Sequence, residues 1–345
     1  MSLASALRSG DLAELPSRRD EDWRWTDLRG LIRVTPAASP KVDRVAANPA
    51  LALLREPVVV YANGRIIEGE APAAGSPDMR LRRFVSASEG TGHALEAPIE
   101  VPENGRLLLI DSFEGQAGGY VADARFPIRV RKGGRLERVV LLDDAADAIS
   151  ISLTEVELEP GASFHQTVLA SGAKRQRFET RVRHQGGGAS VQLDGVYVLA
   201  GQRHSDQTTQ VEHLARDGLT SQLTKGVVQD QARGVFQGRI VVAEGADGAD
   251  ARMGHHALVL SDRAEVDAKP ELEIWADDVA CAHGNTVGAL DEEALFYARS
   301  RGIPETDARA MLIEAFLGEA ADRIEHIQAR ELAHEWLAAQ LRGRR

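Results

Sequence analysis

Phe236-Gln237-Gly238-Arg239-Ile240-Val241-Val242 sets an apolar or small residue at every second position, and the turn-forming Gly245-Ala246-Asp247-Gly248 follows closely. Successive side chains of a strand face opposite sides of its sheet, so a period of two predicts a strand with one face in a core. The alternation extends from about residue 107 to 287, as in Ile149, Ile151 and Leu153, in Val191 and Leu193, and in Ala264, Val266 and Ala268. Turn clusters interrupt it at Lys132-Gly133-Gly134, Pro160-Gly161, Gly186-Gly187-Gly188 and Asp217-Gly218. Their spacing, roughly 25 to 30 residues, suits the coils of a solenoid. A sandwich or jelly roll also alternates, but this many strands in one unbroken block would make an unusually large one. The expected fold is mainly β, with a β-solenoid core over residues 101–289. Its ends expose unpaired strand edges, so capping elements or a partner subunit are expected there.

Outside that block the pattern changes. Residues 1–100 read as a mixed helical and loop region, with short apolar groupings at Leu3, Leu7 and Leu12 and the segment Trp23-Arg24-Trp25-Thr26-Asp27-Leu28. Val58-Val59-Val60-Tyr61 followed by Asn63-Gly64 predicts a strand and a tight hairpin turn. Residues 36–57 and 71–77, dense in Pro and Ala, read as loops, which places a boundary near residue 100. From residue 290 to 345 the period becomes helical: Ala308, Met311, Leu312, Ala315 and Phe316, then Leu332, Trp336 and Leu337. Asp291-Glu292-Glu293 marks a helix start, and Gly302 with Pro304 marks a stop. The apolar faces of these two or three helices either cap the solenoid or form a docking surface for another protein.

Bulk properties exclude several classes. The 345 residues are 43% hydrophobic and carry a formal charge of -11, with no broad basic field for a phosphate backbone, so nucleic acid is not expected as a partner. The arginine groups at Arg80, Arg82 and Arg83 and at Arg342, Arg344 and Arg345 read as solvated surface. Residues 1–16 carry Arg8, Asp11 and Glu14 among their leucines, unlike a signal peptide, and no apolar run reaches membrane-spanning length. A single cysteine, Cys281, forms no internal disulfide. These features together predict a cytoplasmic protein with no membrane association.

The residues that could carry chemistry are few. There is no Gly-Lys dipeptide and hence no Walker A loop, and neither H-E-x-x-H nor G-x-S-x-G occurs. The suggestive constellation is Cys281-Ala282-His283-Gly284, after the alternating Leu272–Val279 stretch. Residues two apart on a strand project from one face, so the thiolate and the imidazole can address one soft metal. An iron site usually needs four ligands, which points to completion by an opposing subunit. His255 and His256 point to opposite faces, and His204 and His213 read as members of a hydrogen-bonded polar strand. His326 and His334 read as surface residues, and Gly245 to Asp250 as a turn rather than a calcium repeat.

The run from Leu258-Val259-Leu260-Ser261-Asp262-Arg263 through Lys269-Pro270-Glu271-Leu272-Glu273-Ile274, Cys281-Ala282-His283-Gly284 and Gly288-Ala289-Leu290-Asp291-Glu292-Glu293-Ala294-Leu295-Phe296-Tyr297 closely resembles the SufB/SufD family. Lys225-Gly226, Ala232 to Gly238, and Glu21-Asp22-Trp23-Arg24-Trp25-Thr26-Asp27-Leu28 agree with it. Modest length and a single cysteine resemble the SufD branch. The resemblance implies a right-handed parallel β-helix with a helical N-terminal region and a C-terminal helical segment that docks a SufC-type ATPase. It further implies a non-catalytic scaffold that pairs with a SufB-like paralogue, with Cys281 and His283 at the inter-subunit site for a nascent iron–sulfur cluster. By itself such a chain is expected to hold no stable cofactor and to hydrolyse no ATP; the cluster is transient and formed in complex with SufB. No flavin motif is visible. Leu290, Glu292, Glu293, Leu295, Phe296, Tyr297, Arg301, Met311, Leu312 and Phe316 form the candidate ATPase surface. Two other functions compete: a β-helical carbohydrate-active enzyme, for which Asp277-Asp278 would be the acid pair although adjacent strand residues diverge, and a structural homodimer without a metal role.

Overall fold

The structure, a computed structural model, describes residues 2–52, 54, 56–69 and 79–342. The loop expected at 71–77 and the terminal Arg344 and Arg345 lie outside the described residues. The chain winds into a parallel β-solenoid of about seven turns. Alternate strands enter two facing sheets. One sheet runs through Thr91–Glu96, Val121–Val130, Ile149–Leu158, Arg175–His184, His204–His213, Arg233–Val242 and Glu265–Ile274. The other stacks Val58–Ala62, Met79–Ser86, Arg106–Gly115, Arg135–Asp143, Ser163–Ala170, Ser190–Leu199, Leu219–Val228, Ala249–Val259 and Val279–Gly288. The register is regular: Val121, Ile149 and Arg175 stack, as do Ser190, Leu219 and Asp250.

A column of turn residues sets this register. Asn104, Gly133, Gly161, Gly188, Asp217 and Gly248 recur at intervals of 27 to 31 residues, each with φ between 55° and 77°. Only glycine adopts that left-handed conformation freely, and asparagine and aspartate tolerate it best among the rest. Each of the six donates its backbone N–H to a carbonyl in the turn of the next coil, at 2.7–3.0 Å, the last reaching Asp278. The turns are therefore bonded into a ladder of their own, beside those of the sheets.

The boundary expected near residue 100 is not a break in the sheets, because Val58–Ala62, Met79–Ser86 and Thr91–Glu96 already belong to them. The alternation is hidden there because every residue of Met79–Ser86 is buried, on both faces of its sheet. The solvated reading of Arg80, Arg82 and Arg83 is overturned by the same burial. Arg82 points into the lumen, where Asp111 accepts bonds of 2.7 and 2.6 Å from it and a 2.8 Å bond from Arg138. All three side chains are fully buried among Phe84, Phe126 and Phe178. Arg138 continues the polar line to Thr154 and Gln166, and Gln166 to Thr180.

Helices flank the solenoid, and short runs join its first coils. The N-terminal helix α1 (Leu3–Ser9) packs with Leu15, Leu28 and Ile32 on the outer face of the first sheet. The following segment crosses that face as a strap. Trp23 stacks on Arg177, Thr26 donates to buried Asp206, and Glu21 reaches Lys269 of the last coil. The one-turn helix α2 (Pro49–Ala52) precedes a hairpin, Val58–Ala62 with Arg65–Glu68, which turns at Asn63-Gly64 as expected and forms the N-terminal edge of the second sheet. At the other end of the chain are α3 (Glu292–Ser300), α4 (Glu305–Ala321) and α5 (Ile327–Arg342). Helices α4 and α5 do not cap the solenoid end. They lie on the outer face of the second sheet, where Ile313, Leu317, Leu332, Trp336 and Leu337 pack on Val139, Leu141, Leu169 and Val196. That sheet is thus apolar on both faces.

Candidate metal and partner interface

The C-terminal end of the solenoid is uncovered. Among the described residues, Glu265–Ile274 pairs only with Arg233–Val242, and Val279–Gly288 only with Ala249–Val259, so two ten-residue strands present free edges. Register assigns their inward faces. Ala251, Met253 and His255 are buried in the lumen, and Cys281, His283 and Asn285 stack directly upon them. Opposite, Val266, Ala268, Pro270, Leu272 and Ile274 continue the inward line of Gly234, Phe236, Gly238, Ile240 and Val242. The open end is a cross-section of the core, and Ile274, Trp275 and Val287 are exposed around it.

The structure brings the two sequence-predicted ligands together here. Cys281 is half-buried against the terminal core cluster, while His283 is exposed. Burial pushes the Cys281 thiol up, nearby Asp250 adds to the shift, and a backbone hydrogen bond at Ala251 opposes it. A thiol so disposed stays protonated until a metal displaces its proton. No group of three or more His, Cys, Asp or Glu able to hold a metal is found among the described residues. Cys281 and His283 supply two donors, fewer than such a group needs.

The other predicted residues are dispersed. His255 faces inward and His256 outward, as strand parity requires. Buried His204 bonds the Trp25 carbonyl at 3.0 Å, and buried His213 stacks on His184 and bonds Thr220. His334 bonds Asp322 on the surface with its side chain 37% exposed, while His326 is half-buried, its backbone N–H donating to Glu137 of the sheet beneath. Asp277 and Asp278 sit exposed in the last turn. Of the candidate ATPase surface, Leu290 and Leu295 are buried and cannot touch a partner without rearrangement, because they anchor α3. Leu312 and Phe316 pack on the cluster over the second sheet, with Lys225 above the Phe316 ring. Glu292, Glu293, Phe296, Tyr297, Arg301 and Met311 are exposed, and Phe296, Tyr297 and Met311 reach 72%, 61% and 55% exposure.

One residue of the end was not singled out from sequence. Asn285 lies two positions beyond His283 on the same inward line, and period two alone would have found it.

The fold is a parallel β-solenoid whose unpaired end carries a cysteine and a histidine on one inward line. Residues 84–316 match the family model described as the SUF system FeS cluster assembly, SufBD core domain. The iron-sulfur cluster assembly protein SufD of Escherichia coli K12 is 30% identical over 93% of this chain and 87% of its own length. A SufBD family protein of Mycobacterium leprae is 28% identical over 93% of this chain and 89% of its own length. SufD of Bacillus subtilis is 35% identical over a shorter stretch, 37% of this chain and 30% of its own. The chain belongs to the SufB/SufD family of iron–sulfur cluster assembly proteins.

Proposed function

We propose that this chain is a SufD-type, non-catalytic scaffold subunit that pairs through its open C-terminal end with a SufB-like paralogue and binds a SufC-like ATPase through α3 and the start of α4. Cys281 and His283 then contribute from one side to a transient iron–sulfur cluster completed by the paralogue. The observation that carries this reading is the uncovered last coil, where free strand edges, exposed core residues and an incomplete ligand pair coincide. Parallel edge addition would satisfy the edge backbone groups and bury Ile274, Trp275 and Val287. The exposed Phe296, Tyr297 and Met311 suit the hot spot of a second interface. A reducing compartment such as the cytoplasm would keep the Cys281 thiol free. The same end would fit a second copy of this chain when the paralogue is absent.

The test is anaerobic co-expression with the SufB-like and SufC-like proteins of the same source. Cys281→Ser and His283→Ala should each lower cluster content, His283→Ala by about tenfold or more, at unchanged recovery of the complex. Phe296→Ser combined with Met311→Ser should instead lose the ATPase, by about 30-fold in affinity, and leave the paralogue bound. Unchanged cluster content in both ligand variants would refute the site.

A further inference from the structure

Behind the open end runs a buried hydrogen-bond chain. The Tyr197 hydroxyl lies 2.9 Å from His255 Nε2, and His255 Nδ1 lies 2.7 Å from Asn285 Oδ1. Oδ1 can only accept, so Nδ1 carries the proton, Nε2 is the acceptor, and the Tyr197 O–H donates to it. The assignment is self-consistent with burial: the His255 ring lies flat on Phe236, with centroids 4.8 Å apart and planes 1° off parallel, and is held neutral. Gly226 and Gly234 are positions where a Cβ would run into the Tyr197 ring, so close backbone approach on two strands fixes the phenol.

The consequence falls on Asn285. With Oδ1 committed to His255, its Nδ2 hydrogens point away from the ring, and among the described residues Nδ2 has no hydrogen-bond partner. Asn285 is exposed and shares the inward line of Cys281 and His283. A neutral double donor thus lies next to the His283 imidazole on the inward line of the last strand, with the Cys281 thiol two residues further along it. Hydrogen bonds to sulfur are one of the levers by which a protein stabilises a thiolate- and sulfide-rich anionic centre. We propose that Asn285 donates its amide N–H to an anionic sulfur, a thiolate or a sulfide, bound at the open end, with His255 and Tyr197 as positioning residues behind it. This rests on the site reading of Cys281 and His283 given above.

The experiment has two arms. In the first, the full chain alone is labelled with 15N-histidine; His255 should appear as the neutral Nδ1–H tautomer, and an Nε2–H tautomer would overturn the proposal. In the second, the anaerobic complex with the SufB-like and SufC-like subunits is loaded with ferrous iron alone and then with ferrous iron plus sulfide. Asn285→Leu should lower retained iron about tenfold and shift the sulfur-to-iron charge-transfer bands of what remains, with Tyr197→Phe in between. A loss already present with iron alone assigns the sulfur as a cysteine thiolate; a loss that appears only with sulfide assigns it as sulfide. If Asn285→Leu changes neither retention nor bands while Cys281→Ser and His283→Ala still fail, the Asn285 contact is wrong and the site stands. If all three variants load normally, the site and the contact fall together.

Discussion

Replacing Asp111 with asparagine should destabilise the chain by about 3–5 kcal/mol, as breaking a buried ion network commonly does. Among the described residues Asp111 is the carboxylate shared by the guanidiniums of Arg82 and Arg138, at 2.6 Å from each, and all three side chains are without solvent contact. Burial, with the neighbouring Arg82 charge, pulls Arg138 down to about 10 even though Asp111 opposes both. An amide in place of the carboxylate leaves two like charges facing each other in a medium that screens them poorly. The comparison variant is Arg82→Met with Asp111→Leu and Arg138→Met, which removes the charges together and should come within about 1–2 kcal/mol of wild type or exceed it. Equilibrium urea unfolding measures both. A single variant as stable as wild type would show that water or a rearranged partner reaches the lumen.

Much of the solenoid was legible because its signals are local. Strand parity, the glycine and aspartate turns, and the placing of Cys281 and His283 on one face all follow from spacing within a single coil. What stayed hidden depends on neighbours one coil away. Arg82 looks like surface until Asp111, 29 residues on, is stacked beside it, and Asn285 looks like an ordinary polar residue until His255 is found 30 residues back. The destination of the C-terminal helices was likewise ambiguous, since their apolar faces show that something is covered without saying what. Unbroken Val139-Val140-Leu141-Leu142 and Tyr197-Val198-Leu199 were the available clue. A strand apolar on both faces is covered on both, and one of those covers had to come from outside the lumen.

Acidification should unfold this protein earlier than its acidic composition suggests. Burial holds His93, His204, His213 and His255 at about 4 and His184 at about 3, against an ordinary 6.5. A histidine whose folded value is depressed contributes stability that is complete above about pH 6.5 and is lost as pH falls toward the folded value. Burial also raises Asp123 and Asp143 to about 6 and Asp194 to about 7, and these act in the opposite sense, since the folded chain takes up their protons first. Among these eight groups, near pH 5 the unfolded chain gains five histidine protons where the folded chain gains three aspartate protons, a difference of two, and His165 and His256, also lowered, add to it while Asp144, also raised, opposes it. Stability should therefore fall by about 2–3 kcal/mol per pH unit between roughly pH 6 and 4.5. Urea midpoints taken across that range measure the slope. His184→Phe, which keeps a ring stacked on His213, should reduce it by about 1.4 kcal/mol per unit, the value of one proton. A flat or rising profile on acidification would mean that the histidines are not sealed in the coil stack, because only their exclusion from water keeps them from charging.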